Sequence, residues 1–391
     1  MKRAYGLVLW LAAALAAAEP RAVTILHTND LHARLMPLES GRGGFAELAA
    51  TIREQRAGCN WCLLINAGDL VQGTPVSTIY RGLPVYRIGN LFGFDAATIG
   101  NHDWDYGWQR LQEFIKTARY PMVSDNIVDD NGRSLARKPY IIRKVNGVRV
   151  ALIGALTEDL TSLTTPKLRG PWHAAGLLDA TRKAAAEAGR KADLLVLVAH
   201  VTEAEEKALM ASDLPIPVFV TGHAHRGLRT ALESNGHVLV RVRAYGEELG
   251  RLDLQFDSKR KKLTSWNWKR IPVDGKLVRP APDVAREVAH WESEVTKVVD
   301  MPIGESKRQL DKPQVKALIE QALRERAGVD LAFMNPGGVR DILPKGRLLA
   351  RHIWNIIPFD NEVVVGKFQG KRLPETVTAG RGIEPEREYT L

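Results

Sequence analysis

Cysteine is nearly missing from this sequence: there are two among 391 residues, Cys59 and Cys62 in "CNWC". That leaves room for one small disulfide, which an oxidising compartment would permit, and excludes a framework of them. A redox pair would sit at a helix N-terminus, where a thiolate is stabilised. This pair leads instead into the apolar run "LLINAGD", which marks it as structural or incidental. Past the first twenty residues no apolar run is long enough to cross a bilayer, so stable membrane insertion is not expected. Internal repeats and low-complexity tracts are also missing. What remains, 45% hydrophobic and 26% charged, suits a soluble globular protein of two domains or more.

The N-terminus is a separate matter. "MKRAYGLVLWLAAALAAAEP" opens with Lys2 and Arg3, continues apolar and closes on small residues. That order predicts a secretory signal peptide over residues 1–18, cleaved after Ala18 and too short for a membrane anchor. The protein is therefore expected to be exported, to a periplasm or the cell exterior. A formal net charge of +10 raises nucleic acid as a partner, but the densest basic run, "SKRKK", lies between the alternating segments "RLDLQF" and "LTSWNWK". It reads as a solvated hairpin tip, and no nucleic-acid partner is expected. The basic balance should still draw in anionic substrates.

Along the chain, short apolar runs alternate with helical patterns. The runs are "AVTILHTND", "CLLINAGD", "DAATIGNHD", "RVALIGA", "DLLVLVAH" and "IPVFVTGHAH". Strands this continuously apolar are buried on both faces, as in α/β architectures. Pieces such as "GGFAELAATIREQ" and "GWQRLQEFIKTA" carry helical periodicity. A first domain is expected over residues 21–272. In residues 281–300, Val284, Val288, Trp291, Val295 and Val298 recur at helical spacing, with Asp283 in the first turn, which predicts a bridging helix. A smaller α/β part follows over residues 301–391.

Five of the apolar runs end in polar clusters. They supply Asp30 and His32 in "TNDLH", Asp69 in "AGD", Asn101 and His102 in "GNHDWDYG", His200, and then His223 and His225 in "GHAH". Ligand crevices in open α/β sheets lie beyond the strand C-termini, so residues far apart in sequence would meet at one edge. Asp, His and Asn are hard-to-borderline ligands suited to Zn, Mn, Fe or Co. Gly68, Gly100 and Gly222 each precede a candidate ligand, where a missing Cβ permits a tight turn and close approach to an ion. Any one cluster is a weak signal; the ordered series points to a dinuclear metal site. His27, His173, His237, His290 and His352 fall outside it and default to structural roles, as Asp103 and Trp104 do to spacing and packing.

The ordered set "DLH … GD … GNHD … H … GHAH" resembles the calcineurin-type metallophosphoesterases. The fuller strings "TILHTNDLHARL" and "GNHDWDYG", with the later "NPGGVR", resemble the 5′-nucleotidases. The resemblance implies a four-layer αββα sandwich, then a linker helix and a smaller α/β C-terminal domain. It also implies two divalent metal ions, Zn, Mn or similar. One would be held by Asp30, His32, Asp69 and His225, and the second by Asp69, Asn101, His200 and His223, with Asp69 bridging. Two ions facing two ligand carboxylates leave a positive site suited to a phosphate and a hydroxide. Ions about 3.5–4 Å apart lower the pKa of a shared water and clamp an in-line displacement.

His102 has no metal to bind in this scheme. The resemblance makes it a catalytic partner of the transferring phosphoryl group or the leaving oxygen. Asp105, three residues on, could orient and charge its imidazole, or could simply be an acidic residue at the start of the helix "GWQRLQEFI". In "NPGGVR" the resemblance implies substrate contacts from Asn335, Gly337, Gly338 and Arg340. Phe359 in "IIPFDN" is either a base-stacking aromatic or core packing, and Arg308 roughly matches a further family arginine in an eroded motif. Gln321 stands where the family usually has an Asp, and "EREYTL" stops at Leu391 before a second aromatic and a glycine-rich segment found in other members, so the C-terminal domain is expected to be incomplete.

The expected activity is release of phosphate from nucleoside 5′-monophosphates or related nucleotides. Alternatives are 2′,3′-cyclic-nucleotide phosphodiesterase or nucleotide-sugar hydrolase activity, and, without catalysis, a nucleotide- or polyanion-binding protein. Oligomeric state is left open.

Overall fold

The structure is a computed structural model describing residues 20–359 and 361–391; the expected signal peptide lies outside the described residues. Two six-stranded sheets dominate. The first runs β14 (Lys262–Pro272), β13 (Glu248–Asp257), β1 (Arg21–Thr28), β2 (Cys62–Asn66), β3 (Ala96–Thr98), β4 (Met122–Val123). The second runs β11 (Leu232–Ser234), β12 (His237–Val240), β10 (Val218–Gly222), β9 (Leu194–His200), β7 (Val148–Leu156), β6 (Tyr140–Val145). A two-stranded ribbon joins β5 (Ile127–Asp129) to β8 (Trp172–Ala174).

The strand sequences explain the layering. Successive side chains of a strand point to opposite faces. On β9, Val196 and Val198 enter a core between the sheets, while Leu195, Leu197 and Ala199 face the helices outside. On β1, Val23 and Ile25 point between the sheets and Leu26 points to the other side, where the helix Phe45–Ala57 packs. Both faces are covered, so both can be apolar, and the result is a four-layer αββα sandwich. Cys59 and Cys62 are joined as a disulfide at the start of β2. "SKRKK" is the exposed tip between β13 and β14.

The predicted bridging helix runs Pro282–Val299, and Val284, Val288 and Val295 bury against the first-sheet helices. One position differs: Val298 is exposed and Val299 is buried, because the helix closes its buried stripe one residue later. A bidentate Arg53–Asp283 pair, at 2.7 and 2.8 Å, fixes the helix start. Beyond it lie two antiparallel pairs, Pro302–Ser306 with Gly346–Leu349 and Lys367–Gln369 with Glu388–Thr390, and the helix Lys312–Ala327. Their cores are small, built around Val315, Val339 and Ile356 and around Leu331, Val377 and Tyr389.

Phe256 is fully buried between the sheets. Phe256→Ala should destabilise the fold by about 3–5 kcal/mol, read as a lower urea midpoint in equilibrium unfolding.

Candidate active site

Parallel pairing puts the loops of interest on one edge. β1, β2 and β3 run parallel in the first sheet and β9 and β10 in the second, so the segments after them emerge on the same side. Asp30 and His32 follow β1, Asp69 follows β2, Asn101 and His102 follow β3, His200 ends β9, and His223 and His225 follow β10. The loops are stitched to each other: the Asp30 N–H donates to Gly68 O at 3.0 Å and the His32 N–H to Asp69 O at 3.1 Å.

The structure brings the seven candidate metal ligands, which exclude His102, together. Ligand atoms of Asp30, His32, Asp69 and His225 lie within 4.8 Å of one another. His32 Nε2 faces His225 Nε2 at 2.8 Å. Asn101 Oδ1 lies 3.0 Å from His200 Nε2 and 2.9 Å from His223 Nδ1, and Asp69 Oδ2 is 3.1 Å from His200 Nε2. Asp30, His32, Asp69, His223 and His225 all have positive φ, between 48° and 84°. Non-glycine residues are rarely held there, and such strain collects at functional sites.

These groups fit divalent cations. His32 Nδ1 faces Gln72 O at 3.1 Å and His200 Nδ1 faces Ala67 O at 2.8 Å. A carbonyl only accepts, so each Nδ1 carries a proton and each Nε2 turns toward the cluster. There they meet the His225 imidazole, the Asn101 amide oxygen and a buried Asp69 Oδ2 that no hydrogen bond satisfies. A proton or a cation must lie among them. Burial, then Arg340, holds His32 well below the ordinary histidine value; burial also holds His225 down, at about 4, so both are neutral as metal ligation requires. At His200 burial is outweighed by Asp69 and Asp30, which lift it to about 9.

The three glycines meet different neighbours. Of Gly68, Gly100 and Gly222, only Gly68 has positive φ. A Cβ on Gly68 would fall 2.6 Å from His200 Nδ1, and one on Gly100 would collide with Asp69 Oδ1. Gly68 makes room for the His200 ring, Gly100 for the Asp69 carboxylate and backbone N, and Gly222 for the Ala67 carbonyl. Two residues that the sequence left as bystanders brace the ligands. Asn29 Nδ2 donates to Asp30 Oδ2 at 2.7 Å. Asp103, expected to be a spacer, accepts from the Gly100 N–H at 2.8 Å and from the Tyr86 hydroxyl at 3.0 Å, with burial pushing its carboxyl up to about 7. Trp104 is packing, fully buried.

His102 stands beside the cluster. Its N–H donates to Asp69 Oδ1 at 2.9 Å, and its Nδ1 meets Asp105 Oδ2 at 2.8 Å. Burial disfavours the imidazolium, but Asp105 and Asp69 outweigh it and hold His102 above its ordinary value.

The C-terminal part closes over this edge. Arg340 Nη2 reaches His32 Nε2 at 3.2 Å, and Phe359 stacks on His102 with centroids 5.6 Å apart. The Thr78 hydroxyl donates to Pro358 O at 3.0 Å. Asn335 is exposed and Gly337 offers its carbonyl to Arg340 Nη1 at 3.3 Å. A Cβ on Gly338 would strike Met334 at 2.5 Å. Arg308 is not brought in: it is exposed on the stretch after Pro302–Ser306, and only its carbonyl is engaged, by the Ser306 hydroxyl. Tyr245 was not foreseen. It packs 5.6 Å from both His32 and His225 at a φ of 63°, in "RAYG", a string with no chemical signature of its own.

Residues 23–227, over half of the chain, match the calcineurin-like phosphoesterase family, and residues 294–388 match the 5′-nucleotidase C-terminal domain. The chain belongs to the calcineurin-like phosphoesterases, hydrolases that use divalent metals, and carries a short 5′-nucleotidase C-terminal domain behind the catalytic fold. Among individual proteins it is similar to Protein UshA of Yersinia enterocolitica, 27% identical over 90% of this chain and 74% of that one. The 5′-nucleotidase precursor of Thermus thermophilus superimposes with a TM-score of 0.82 at 25% identity, over 90% of this chain and 76% of its own. The sulfate thiohydrolase SoxB of the same organism shares the fold, with a TM-score of 0.81 at 19% identity over 94% and 88% of the two chains.

Gly100→Ala should push the Asp69 carboxylate out of the cluster. Bound metal per chain, measured by elemental analysis, should fall while the far-ultraviolet circular dichroism stays unchanged; full metal content would contradict the steric role.

Proposed function

We propose that the protein hydrolyses nucleoside 5′-monophosphates or related nucleotides, releasing phosphate. The observation that carries this reading is the contact of Arg340 with His32 of the Asp–His–Asn cluster and of Phe359 with His102 beside it. In this reading residues 21–272 form the catalytic domain, the helix Pro282–Val299 is the linker and residues 301–391 supply substrate contacts. Asp30, His32, Asp69 and His225 hold one divalent ion; Asp69, Asn101, His200 and His223 hold the other. Bound ions supply positive charge to the phosphate and lower the pKa of water at the site.

The chain's own groups do the rest. The Arg340 guanidinium, always charged, takes a phosphate oxygen in a forked geometry. Phe359 offers a π-face, at present covered by His102, on which a base could stack once substrate separates the two rings. The arginine also lies over that ring, its Cζ 5.7 Å from the centroid, so one side chain can touch both ends of a nucleotide. His102, whose imidazolium Asp105 and Asp69 favour against the opposing effect of burial, hands a proton to the leaving oxygen or stabilises charge on the transferring group. The Asp105 carboxylate fixes the imidazole through Nδ1, leaving Nε2 to face substrate. Export fits the N-terminal sequence. Among the described residues no helix is long and apolar enough to cross a membrane.

Metal-loaded protein should release phosphate from AMP, and His102→Ala should lower kcat by about 10²–10⁴-fold with metal content unchanged. No release from any phosphoester with two equivalents of metal bound would refute the reading. Asp105→Asn removes the charge that holds the His102 proton, so the alkaline limb of the pH–kcat profile should move to lower pH.

A further inference from the structure

Residues 241–247 carry the chain from β12 in the second sheet to β13 in the first, across the edge where the ligand loops meet. This strap is tied to both sides. The Ala244 N–H donates to His225 O at 3.1 Å and the Tyr245 N–H to Asp30 O at 2.7 Å. Val242 exchanges two bonds with the Asn29 side chain, at 3.1 and 3.3 Å. Tyr245 is the residue that the strap sets against the ligands. Its ring centroid lies 5.6 Å from both His32 and His225, whose own centroids are 4.7 Å apart, so three rings close a triangle. The Arg34 guanidinium backs the tyrosine ring, with Cζ 5.4 Å from the centroid, and is itself held by Asp341.

Two observations give this ring a task. The first is strain. Tyr245 sits at φ 63°, where a bulky residue is an outlier and glycine or asparagine would be comfortable. A tight turn here accounts for Gly246, at φ 68°, but not for a tyrosine beside it. Strain of this kind persists where the surroundings over-determine it, and it points to a use for the side chain. The second is a missing support. Metal-binding imidazoles are oriented by a bond to the ring nitrogen that faces away from the ion. His32 and His200 have that bond, from the carbonyls of Gln72 and Ala67. Among the described residues His225 Nδ1 has no such partner. Its ring is instead held edge-on against Tyr245 and His32, at interplanar angles of 68° and 67°. Edge-to-face contacts at these separations are attractive and directional.

We propose that Tyr245 is a positioning residue for the ion assigned to Asp30, His32, Asp69 and His225. It acts through the two imidazoles, fixing their planes so that both Nε2 atoms turn to one place. The proposal rests on the two-ion reading above and adds a residue that supports one half of the centre. The other ligand set, Asn101, His200 and His223, is oriented by bonds to Asn101 Oδ1 and Ala67 O, so loss of the tyrosine ring should leave it intact.

The test equilibrates full-length protein loaded with manganese(II) against buffers of decreasing free manganese(II), and elemental analysis counts the ions retained per chain. Wild-type protein should release two ions in two steps. Tyr245→Gly relieves the backbone while removing the ring. It should release one ion at about 10–100-fold higher free manganese(II) and keep the other step within about twofold of wild type. Tyr245→Phe, which keeps the ring, should match wild type. The weakened step should be the one that His225→Ala also weakens; weakening of the step lost in His223→Ala overturns the assignment. Two unchanged steps in Tyr245→Gly, or two weakened alike, overturn the positioning role and leave the two-ion reading standing. Wild-type protein that holds a single ion overturns the two-ion reading. Weaker retention of that ion in Tyr245→Gly would then still support the positioning role, and equal retention would overturn it as well. If Tyr245→Gly loses its far-ultraviolet circular dichroism, Tyr245→Asn, which also tolerates positive φ, takes its place. Failure of both to fold makes the ring a structural element and overturns the proposal.

Discussion

The Asp69 carboxylate is approached from several directions at once, and its surroundings follow from that crowding. His200 comes from the second sheet, the His102 N–H from the loop after β3, and His32 from the loop after β1, all within 4 Å. A backbone held at φ 53° aims the side chain inward, a conformation costing a non-glycine residue about 1–3 kcal/mol. Gly100 gives up a side chain so that the carboxylate has somewhere to lie. The cost is tolerated because the surroundings are stiff: two sheets, covered on both outer faces, fix the strand ends from which these loops leave. Strain and rigidity therefore have one source.

Charge organises the rest. Without bound ions, Asp69 and Asp30 raise His200 against the effect of burial, while burial, then Arg340, holds His32 down and burial holds His225 at about 4. Arg340 matters twice, because it contacts a ligand histidine of the catalytic fold from a domain joined only by the helix Pro282–Val299 and surface contacts. Phe359 against His102 and Arg34 against Asp341 belong to that same closure.

Much of this was legible in the residues. Continuous apolar runs such as "DLLVLVAH" imply strands covered on both faces, and polar residues at successive strand ends imply one shared edge, since parallel strands all terminate on the same side. The seven cluster residues could be listed for that reason, and the bridging helix from its valine spacing. Arg308 is exposed and makes no contact with the cluster among the described residues, and a lone arginine in an eroded motif carries no information about which way its stretch of chain faces. Asp103 was undervalued because its partners, Tyr86 and the Gly100 N–H, come from a helix and a turn whose approach no local pattern announces.

Sequence alone determined the layered α/β class, the order of the strands that carry polar ends and the chemical type of each candidate ligand, because these depend on periodicity and residue identity. The tertiary structure alone decided which atoms face which. It set the tautomers of His32 and His200 through the carbonyls of Gln72 and Ala67. It showed that Gly68 and Gly100 make room for His200 and Asp69, and it brought Arg340 to His32. Those outcomes depend on distances between residues as far apart as His32 and Arg340, which packing fixes and local pattern does not encode.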